Sequence, residues 1–402
     1  MSEKPRTIYL DHAATTPVDP AVVEAMLPLF TEGYGNASSL HHKGRQAADA
    51  LEEARQTVAD VLGCKPREVI FTSCGTESDN LALRGVAFQQ AEKGKRHLIT
   101  SSVEHHAIGH TMEQLEKRFG FEVTYLPVDE YGIVHPDEVA RAIRDDTALV
   151  SIMYANNEVG TIQPLAEIGA IVRSRDILFH TDAVQAGGTL DLNVDRLNVD
   201  LMSLSAHKFY GPKGVGVLYA RRKSKFWPMQ TGGAQENRQR AGTENIPYIV
   251  ALATALKLAQ SHAEEENKRL IALRDRLIEG VLERVPEAAL TGHPTQRLPN
   301  SASFVFKYIE GEGILLNLDA LGICGSSGSA CTSASLEPSH VLQAMGIPIE
   351  VAHGSLRLTL GKSNTQEDVD FVVEHLPDIV HKLRQISPLY DPASCPAPAK
   401  VV

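Results

Sequence analysis

Between residues 20 and 220 the apolar positions of this chain keep changing their period. Stretches 20–31, 43–62, 77–92, 107–119 and 165–174 repeat their apolar residues at the three-to-four spacing of a helix with one buried face. Between them lie apolar runs of strand length at 68–72, 97–101, 121–126, 147–153, 177–181, 199–204 and 214–219. Helices alternating with buried strands predict an α/β architecture, a mostly parallel sheet covered by helices on both faces, whose ligands gather beyond the carboxyl ends of the strands. From residue 246 to about 285 the pattern is long, helical and charged, with Glu264, Glu265 and Glu266 on a solvated face, and it reads as a bridge. Beyond residue 300, strands over 302–307 and 355–360 with helices between and after them predict a smaller α+β unit joined by the N-terminal residues. The expected division is a large unit over 17–260 and a small one built from 1–16 and 261–402.

Composition narrows the classes. The 402 residues are 43% hydrophobic, enough for a large core, and the net charge of −11 argues against a general nucleic-acid binder, which needs clustered Lys and Arg. The start of the chain lacks the apolar core of a secretion signal and no apolar run is long enough to cross a bilayer, so a cytoplasmic protein is expected. Cysteines fall at 64, 74, 324, 331 and 395 without a C-x-x-C pair, which argues against a disulfide framework and leaves a reactive thiol as the option of interest.

Candidate chemistry collects where the predicted strands end. Ser203-Leu-Ser-Ala-His-Lys-Phe-Tyr-Gly-Pro-Lys-Gly214 places Lys208 beside small residues, where desolvation would favour the neutral amine that a Schiff-base lysine requires. Ser205 and His207 add donors of the kind a phosphate uses. Read alone, the stretch is equally a surface lysine in a Gly-Pro turn. Phe71-Thr-Ser-Cys-Gly-Thr-Glu-Ser-Asp-Asn80 runs from a strand into a helix start, where the N–H groups of Gly75 and Thr76 and the helix dipole make an anion site, or simply a capped helix. Asp182, in Phe179-His-Thr-Asp-Ala-Val-Gln185, ends a buried strand, a costly place for a carboxylate unless a cation meets it. Asn156-Asn157-Glu158-Val159-Gly160 puts polar groups at another strand end and fits an Asx turn as well as a site. His105 and His106 are adjacent and so do not share a helix face, which makes a metal site a poor reading; no metal ligand is assigned and His106 is given no role. Arg357, alternating with apolar residues in a strand, suits bidentate binding of a carboxylate or an edge-strand salt bridge. Gly325-Ser-Ser-Gly-Ser-Ala-Cys-Thr-Ser333 is a small-residue loop around the thiol of Cys331, and Cys324 before it is expected to be buried and structural.

Together with Tyr9-Leu-Asp-His-Ala-Ala-Thr-Thr-Pro17, Gly35-Asn-Ala-Ser-Ser-Leu-His41 and Gly232-Gly-Ala-Gln-Glu236 followed by Arg240-Ala-Gly-Thr-Glu-Asn245, these segments resemble the cysteine desulfurases, class-V aminotransferase-like enzymes of pyridoxal phosphate, over roughly residues 8–388 and in the family's order. Cys331 resembles the thiol of the short-loop group that serves nitrogen fixation and iron–sulfur cluster assembly. The resemblance implies the aspartate-aminotransferase-like fold, with Lys208 holding the cofactor and then removing the substrate's α-proton. It implies that Gly75, Thr76, Ser205 and His207 hold the phosphate, Asp182 the ring nitrogen and Gln185 the phenolic oxygen. His105 would stack on the ring and shuttle protons, Asn157 would contact ring or substrate, Arg357 the α-carboxylate, and Thr243 the phosphate of the neighbouring subunit of a homodimer. Cys331 would take sulfur from L-cysteine as a persulfide, releasing alanine, and pass it to an iron–sulfur scaffold or another acceptor. The opening and Gly35–His41 motifs are given structural or pocket roles. A selenocysteine lyase or aminotransferase of the same fold, and a silent scaffold, are the alternatives.

Overall fold

Strands too apolar to face water on either side need a sheet covered twice, and the computed structural model of the chain, which describes residues 7–327 and 338–391, contains it. In chain order the strands are β1 (Ile8–Tyr9), β2 (Val69–Thr72), β3 (His97–Ser101), β4 (Glu122–Leu126), β5 (Thr147–Ser151), β6 (Leu178–Asp182), β7 (Leu201–Ser205), β8 (Gly216–Ala220), β9 (Ala288–Leu290), β10 (Ser301–Phe306), β11 (Ile323–Cys324) and β12 (Ser355–Thr359). Seven of them form one sheet in the order β2-β8-β7-β6-β5-β3-β4, in which β8 alone runs antiparallel to its neighbours. A three-stranded antiparallel sheet β12-β10-β9 and the parallel pair β1-β11 stand apart from it.

Side chains alternate across the large sheet as its pleat requires. Phe71, Val150, Phe179 and Met202 join one buried cluster with the helices His42–Leu62, Leu165–Ser174 and Ile246–Ser261. Ile70, Leu98, Leu149 and Leu218 join another with Gly75–Ala91 and His106–Phe119. A separate core packs Ile8 and Leu10 against Leu277, Phe304, Leu356 and Leu376, and Val103, Met153 and Val159 meet Val305, Val341 and Leu342 between the two.

The structure departs from the periodicity in several places. The expected helix over 20–31 is two, Pro20–Met26 and Pro28–Thr31, since Pro28 has no N–H to continue the first. The long pattern over 246–285 breaks at His262 into Ile246–Ser261 and Ala263–Arg284. Pro136–Ala142, β1, β9 and β11 are elements too short for their period to show.

One loop is held in an uncommon shape. Glu236, Asn237 and Arg238 have φ of 44°, 54° and 66°, left-handed values that disfavour side chains. Glu236 is buried and bound by both Arg55 Nη1 and Nη2 at 2.8 Å, and its Oε2 also accepts from the Phe71 N–H at 3.0 Å. Downstream, Arg240 donates to Glu77 at 2.7 and 3.1 Å, so the strap that leads to Thr243 is fastened to the start of the Gly75–Ala91 helix. Arg55→Met should destabilise the protein by about 3–5 kcal/mol, because it strands a buried carboxylate, and adding Glu236→Met should recover part of the loss. Denaturant unfolding of the two single variants and the double variant measures the coupling.

Candidate active site

The carboxyl ends of β2, β3, β5, β6 and β7 open on a cavity of about 370 Å³. After β7 the chain makes one tight turn, Ala206–Lys208, which swings Lys208 into this cavity. Its Nζ donates to the carbonyls of Ala13 at 2.5 Å and Ala14 at 2.9 Å, and Gln185 Nε2 donates to the same Ala13 oxygen at 3.0 Å. The opening segment is bolted to this turn: Thr16 N–H donates to His207 O at 2.9 Å, and Thr15 Oγ1 lies 3.2 Å from His207 Nδ1. The expectation for 9–17 is a structural or pocket role; the segment makes these bonds and, at Ala13 and Ala14, lines the cavity. Burial, with Lys208 next to it, pushes His207 down to about 4, so the imidazole is neutral near pH 7.

On the adjoining strand Asp182 closes β6, with Oδ1 accepting the Val184 N–H at 2.9 Å. Burial pushes its carboxyl up to about 6, against the pull of that N–H and of Lys208. Beside it Asp79, wholly buried, has no hydrogen-bond partner for either oxygen among the described residues. Two buried carboxyls thus face a cavity, an arrangement suited to a cationic ring.

At the other wall the Gly75–Ala91 helix begins at Gly75, two residues before the apolar period did. A Cβ on Gly75 would come within 2.7 Å of Val184 Cγ2, so glycine lets the helix start seat against the end of β6, with Thr76 and Ser205 beside it in the cavity. The first N–H groups of that helix have no helical partner, an arrangement suited to an anion in the cavity that His207 also lines.

His105 caps the His106–Phe119 helix, its Nδ1 accepting the Ala107 N–H at 3.1 Å. Burial first, then Lys208, lower it to about 4, so at neutral pH the ring is uncharged and carries its hydrogen on Nε2. Of the paired asparagines, Asn156 is structural: its Oδ1 accepts from Glu158 N and Val159 N at 2.8 and 2.9 Å, and Nδ2 donates to Val103 O at 2.9 Å. Asn157 faces the cavity. Its carbonyl accepts from Arg357 Nη1 at 2.8 Å, while Nη2 of Arg357 reaches Asp11 at 3.0 Å and Nε, buried, has no partner among the described residues.

Gly75, Thr76, His105, Asn157, Asp182, Gln185, Ser205, His207, Lys208 and Arg357 therefore share one cavity. Thr243 does not; it lines a second space of about 150 Å³ with Ser73, Glu236 and Arg240. Cys331 lies outside the described residues. Cys324 was expected to be buried and is only partly so, because β11 pairs on one side alone, with β1. Sequence reasoning passed over Asp79, His106, Glu158 and His340, which also line the cavity. Asp79 had a signal, since it stands one turn beyond Gly75 on the same helix face. His340 is 2.9 Å from the Glu104 carbonyl, a contact across the fold that no local pattern announces.

The family model described as aminotransferase class-V matches residues 8–372. The chain is 58% identical over 389 residues to a cysteine desulfurase IscS of Methanosarcina thermophila, covering 97% of this chain and 96% of that one. Among solved structures, a NifS-like protein superposes with a TM-score of 0.88 at 41% identity, covering 94% of this chain and all (100%) of its own. A structure described as SspA in complex with cysteine gives 0.76 at 36% identity, covering 88% and 99%.

Asp182 is protonated more readily folded than unfolded, so its ionisation costs stability. The cost is absent below about pH 4, grows as pH rises through about 6, and is constant above. With no cation bound in the cavity, Asp182→Asn should therefore be more stable than the parent at pH 8, by on the order of 2–3 kcal/mol, and equal to it at pH 4. Unfolding by urea at the two pH values checks the sign.

Proposed function

The chain belongs to the class-V aminotransferases, and from that membership we propose that it is a cysteine desulfurase: it uses pyridoxal phosphate to take sulfur from L-cysteine, forming L-alanine and a persulfide on Cys331. The observation that carries this reading is the meeting of Lys208, the buried carboxyls of Asp182 and Asp79, and the helix start at Gly75 around one cavity of about 370 Å³. Those groups fit an amine-reactive carbonyl, a ring cation and a phosphate. Bound there, pyridoxal phosphate would supply an electron sink for charge developing at the substrate's α-carbon.

Gly75, Thr76, Ser205 and His207 would hold the phosphate, Asp182 the ring nitrogen and Gln185 the phenolic oxygen, with His105 and Asn157 against the ring. Arg357 spends one N–H of Nη1 on Asn157 and one of Nη2 on Asp11, and its Nε has no partner among the described residues, which supports its reading as the holder of the substrate carboxylate. Lys208 takes the α-proton at Nζ, and the carbonyls of Ala13 and Ala14, already 2.5 and 2.9 Å away, steady the ammonium it becomes. His105, neutral with Nε2–H, moves a proton at the substrate sulfur. The Cys331 thiolate attacks that sulfur; the carbon–sulfur bond breaks, its electron pair stays with the carbon skeleton, and protonation gives alanine. An iron–sulfur scaffold, or another acceptor of sulfane sulfur, then receives the sulfur.

The position of Thr243 on the strap, away from its own chain's cavity, supports a homodimer in which it serves the neighbouring site. The separate core that joins Ile8 and Leu10 to Leu277 and Leu376 supports reading 1–16 with 261–402 as a small unit and 17–260 as the large one. No helix among the described residues is long and apolar enough to cross a membrane, in keeping with work in the cytoplasm.

Lys208→Ala should yield a colourless protein that makes no alanine, read by absorbance and amino-acid analysis. With sulfur-labelled cysteine the label should appear on Cys331 of the parent and on no residue of Cys331→Ala; a labelled variant would refute the role of that thiol. Arg357→Lys, which loses the planar fork, should raise KM for cysteine about tenfold or more and change kcat less, by steady-state kinetics.

A further inference from the structure

Beneath the cavity Asp182 sits in a set of buried polar groups, most of which the proposed chemistry gives no separate role. Asp79 and His180 are 0% exposed, Glu104 2% and Asp182 5%. The register of β6 on β7 sets Ser203 opposite Asp182. His180 spans two hydroxyls, Nδ1 at 2.9 Å from Ser151 Oγ and Nε2 at 3.0 Å from Ser203 Oγ, and Nε2 stands 3.7 Å from Asp79 Oδ1. Burial pushes His180 down to about 3, so the ring is neutral and brings no positive charge to Asp79.

A neutral imidazole has one N–H for two hydroxyl contacts, so its tautomer and the Ser203 hydroxyl are locked together. If Nε2 carries the hydrogen, Ser203 accepts it and can donate to an ionised Asp79. If Nδ1 carries it, Ser203 donates to Nε2 and can accept from a protonated Asp79. The second arrangement suits the surroundings. The groups facing Asp79 are Asp182, Glu104, Cys74, His180 and Ser203; burial, then the nearby Asp182 charge, push Asp79 well above the usual carboxylate range, and Lys208 acts on Asp182.

We propose that Asp79 is a positioning residue of the pocket floor: buried without a partner for either oxygen among the described residues and 3.7 Å from His180 Nε2, it stays a protonated acid, so that Asp182 carries the floor's negative charge. Two like charges under one cavity cannot both be ionised without cost, and the Val184 N–H that Asp182 accepts, with no such donor among the described residues on either Asp79 oxygen, favours the charge on Asp182 and the proton on Asp79. The benefit rests on reading Asp182 as the partner of a ring cation. With Asp79 neutral, that carboxylate meets the ring without sharing it, and the charge opposite the ring nitrogen is one and not two.

Infrared difference spectra of the full chain across pH, taken as purified and again after the cofactor is removed, test this without reference to turnover. The parent should show at pH 7 a carbonyl band of a protonated, buried carboxyl that Asp79→Asn removes. Bands from Glu104 and Glu158, which burial raises to about 8 and about 7, should persist in that variant. Ser203→Ala should keep the Asp79 band and shift its frequency, since the hydroxyl that faces the carboxyl is gone. Asp182→Asn should lower the pH at which the band disappears by roughly one unit or more, a tenfold change in proton affinity. A spectrum unchanged by Asp79→Asn would show Asp79 ionised and end the proposal. So would a midpoint that ignores Asp182→Asn, or, should Asp79→Asn fail to fold, a frequency that ignores Ser203→Ala. None of these failures touches the desulfurase assignment, which stands or falls on alanine and the label on Cys331.

Discussion

A carboxylate set at the inner end of a central strand has to be met by positive charge, and Asp182 places that demand on the whole molecule. The demand is answered from the neighbouring strand. β6 and β7 run parallel, so both expire at the same edge of the sheet, and the turn after β7 delivers Lys208 to the space that Asp182 already faces. Parallel pairing thus does what no sequence proximity could, setting an amine and an acid separated along the chain against a common ligand. Asp79 approaches from the helix above without a partner for either oxygen among the described residues, and kept protonated it leaves that demand to Asp182 alone.

The remaining walls are held by backbone groups more than by side-chain pairs. Ala13 and Ala14 offer carbonyls, the helix at Gly75 offers N–H groups, and the Asn157 carbonyl orients Arg357. Main-chain groups fixed by strands and helix ends are stiff, and a site lined with them keeps its geometry while a substrate comes and goes. The strap at Glu236 follows the same rule in reverse. There a side-chain pair, Arg55 with Glu236, pins a backbone shape that is unfavourable by itself.

How much of this could be seen in the sequence follows from what each feature depends on. The alternation of helix and strand was plain because period is a local property, and the residues at the strand ends were plain because a charge or glycine after an apolar run is out of place without a reason. The boundaries at Pro28 and His262 needed backbone geometry. The choice between Asn156 and Asn157 needed the path of the turn, since both sit in the same tripeptide and one spends its amide on Val103, Glu158 and Val159. His340 and the His180 chain were invisible because their meaning comes from contacts across the fold. The role proposed for Thr243 rests on resemblance alone; its own chain gives it no place at the cavity.

The opening segment has a dual attachment. β1 pairs with β11, the strand that ends at Cys324 and from which the chain continues toward Cys331, while a few residues on the Ala13 and Ala14 carbonyls grip Lys208. One short peptide therefore braces both the strand that leads toward Cys331 and the amine of Lys208. Shortening the protein into this stretch would loosen both at once, although it lies far from either in the chain, and a fusion joined ahead of Thr7 would leave the brace intact.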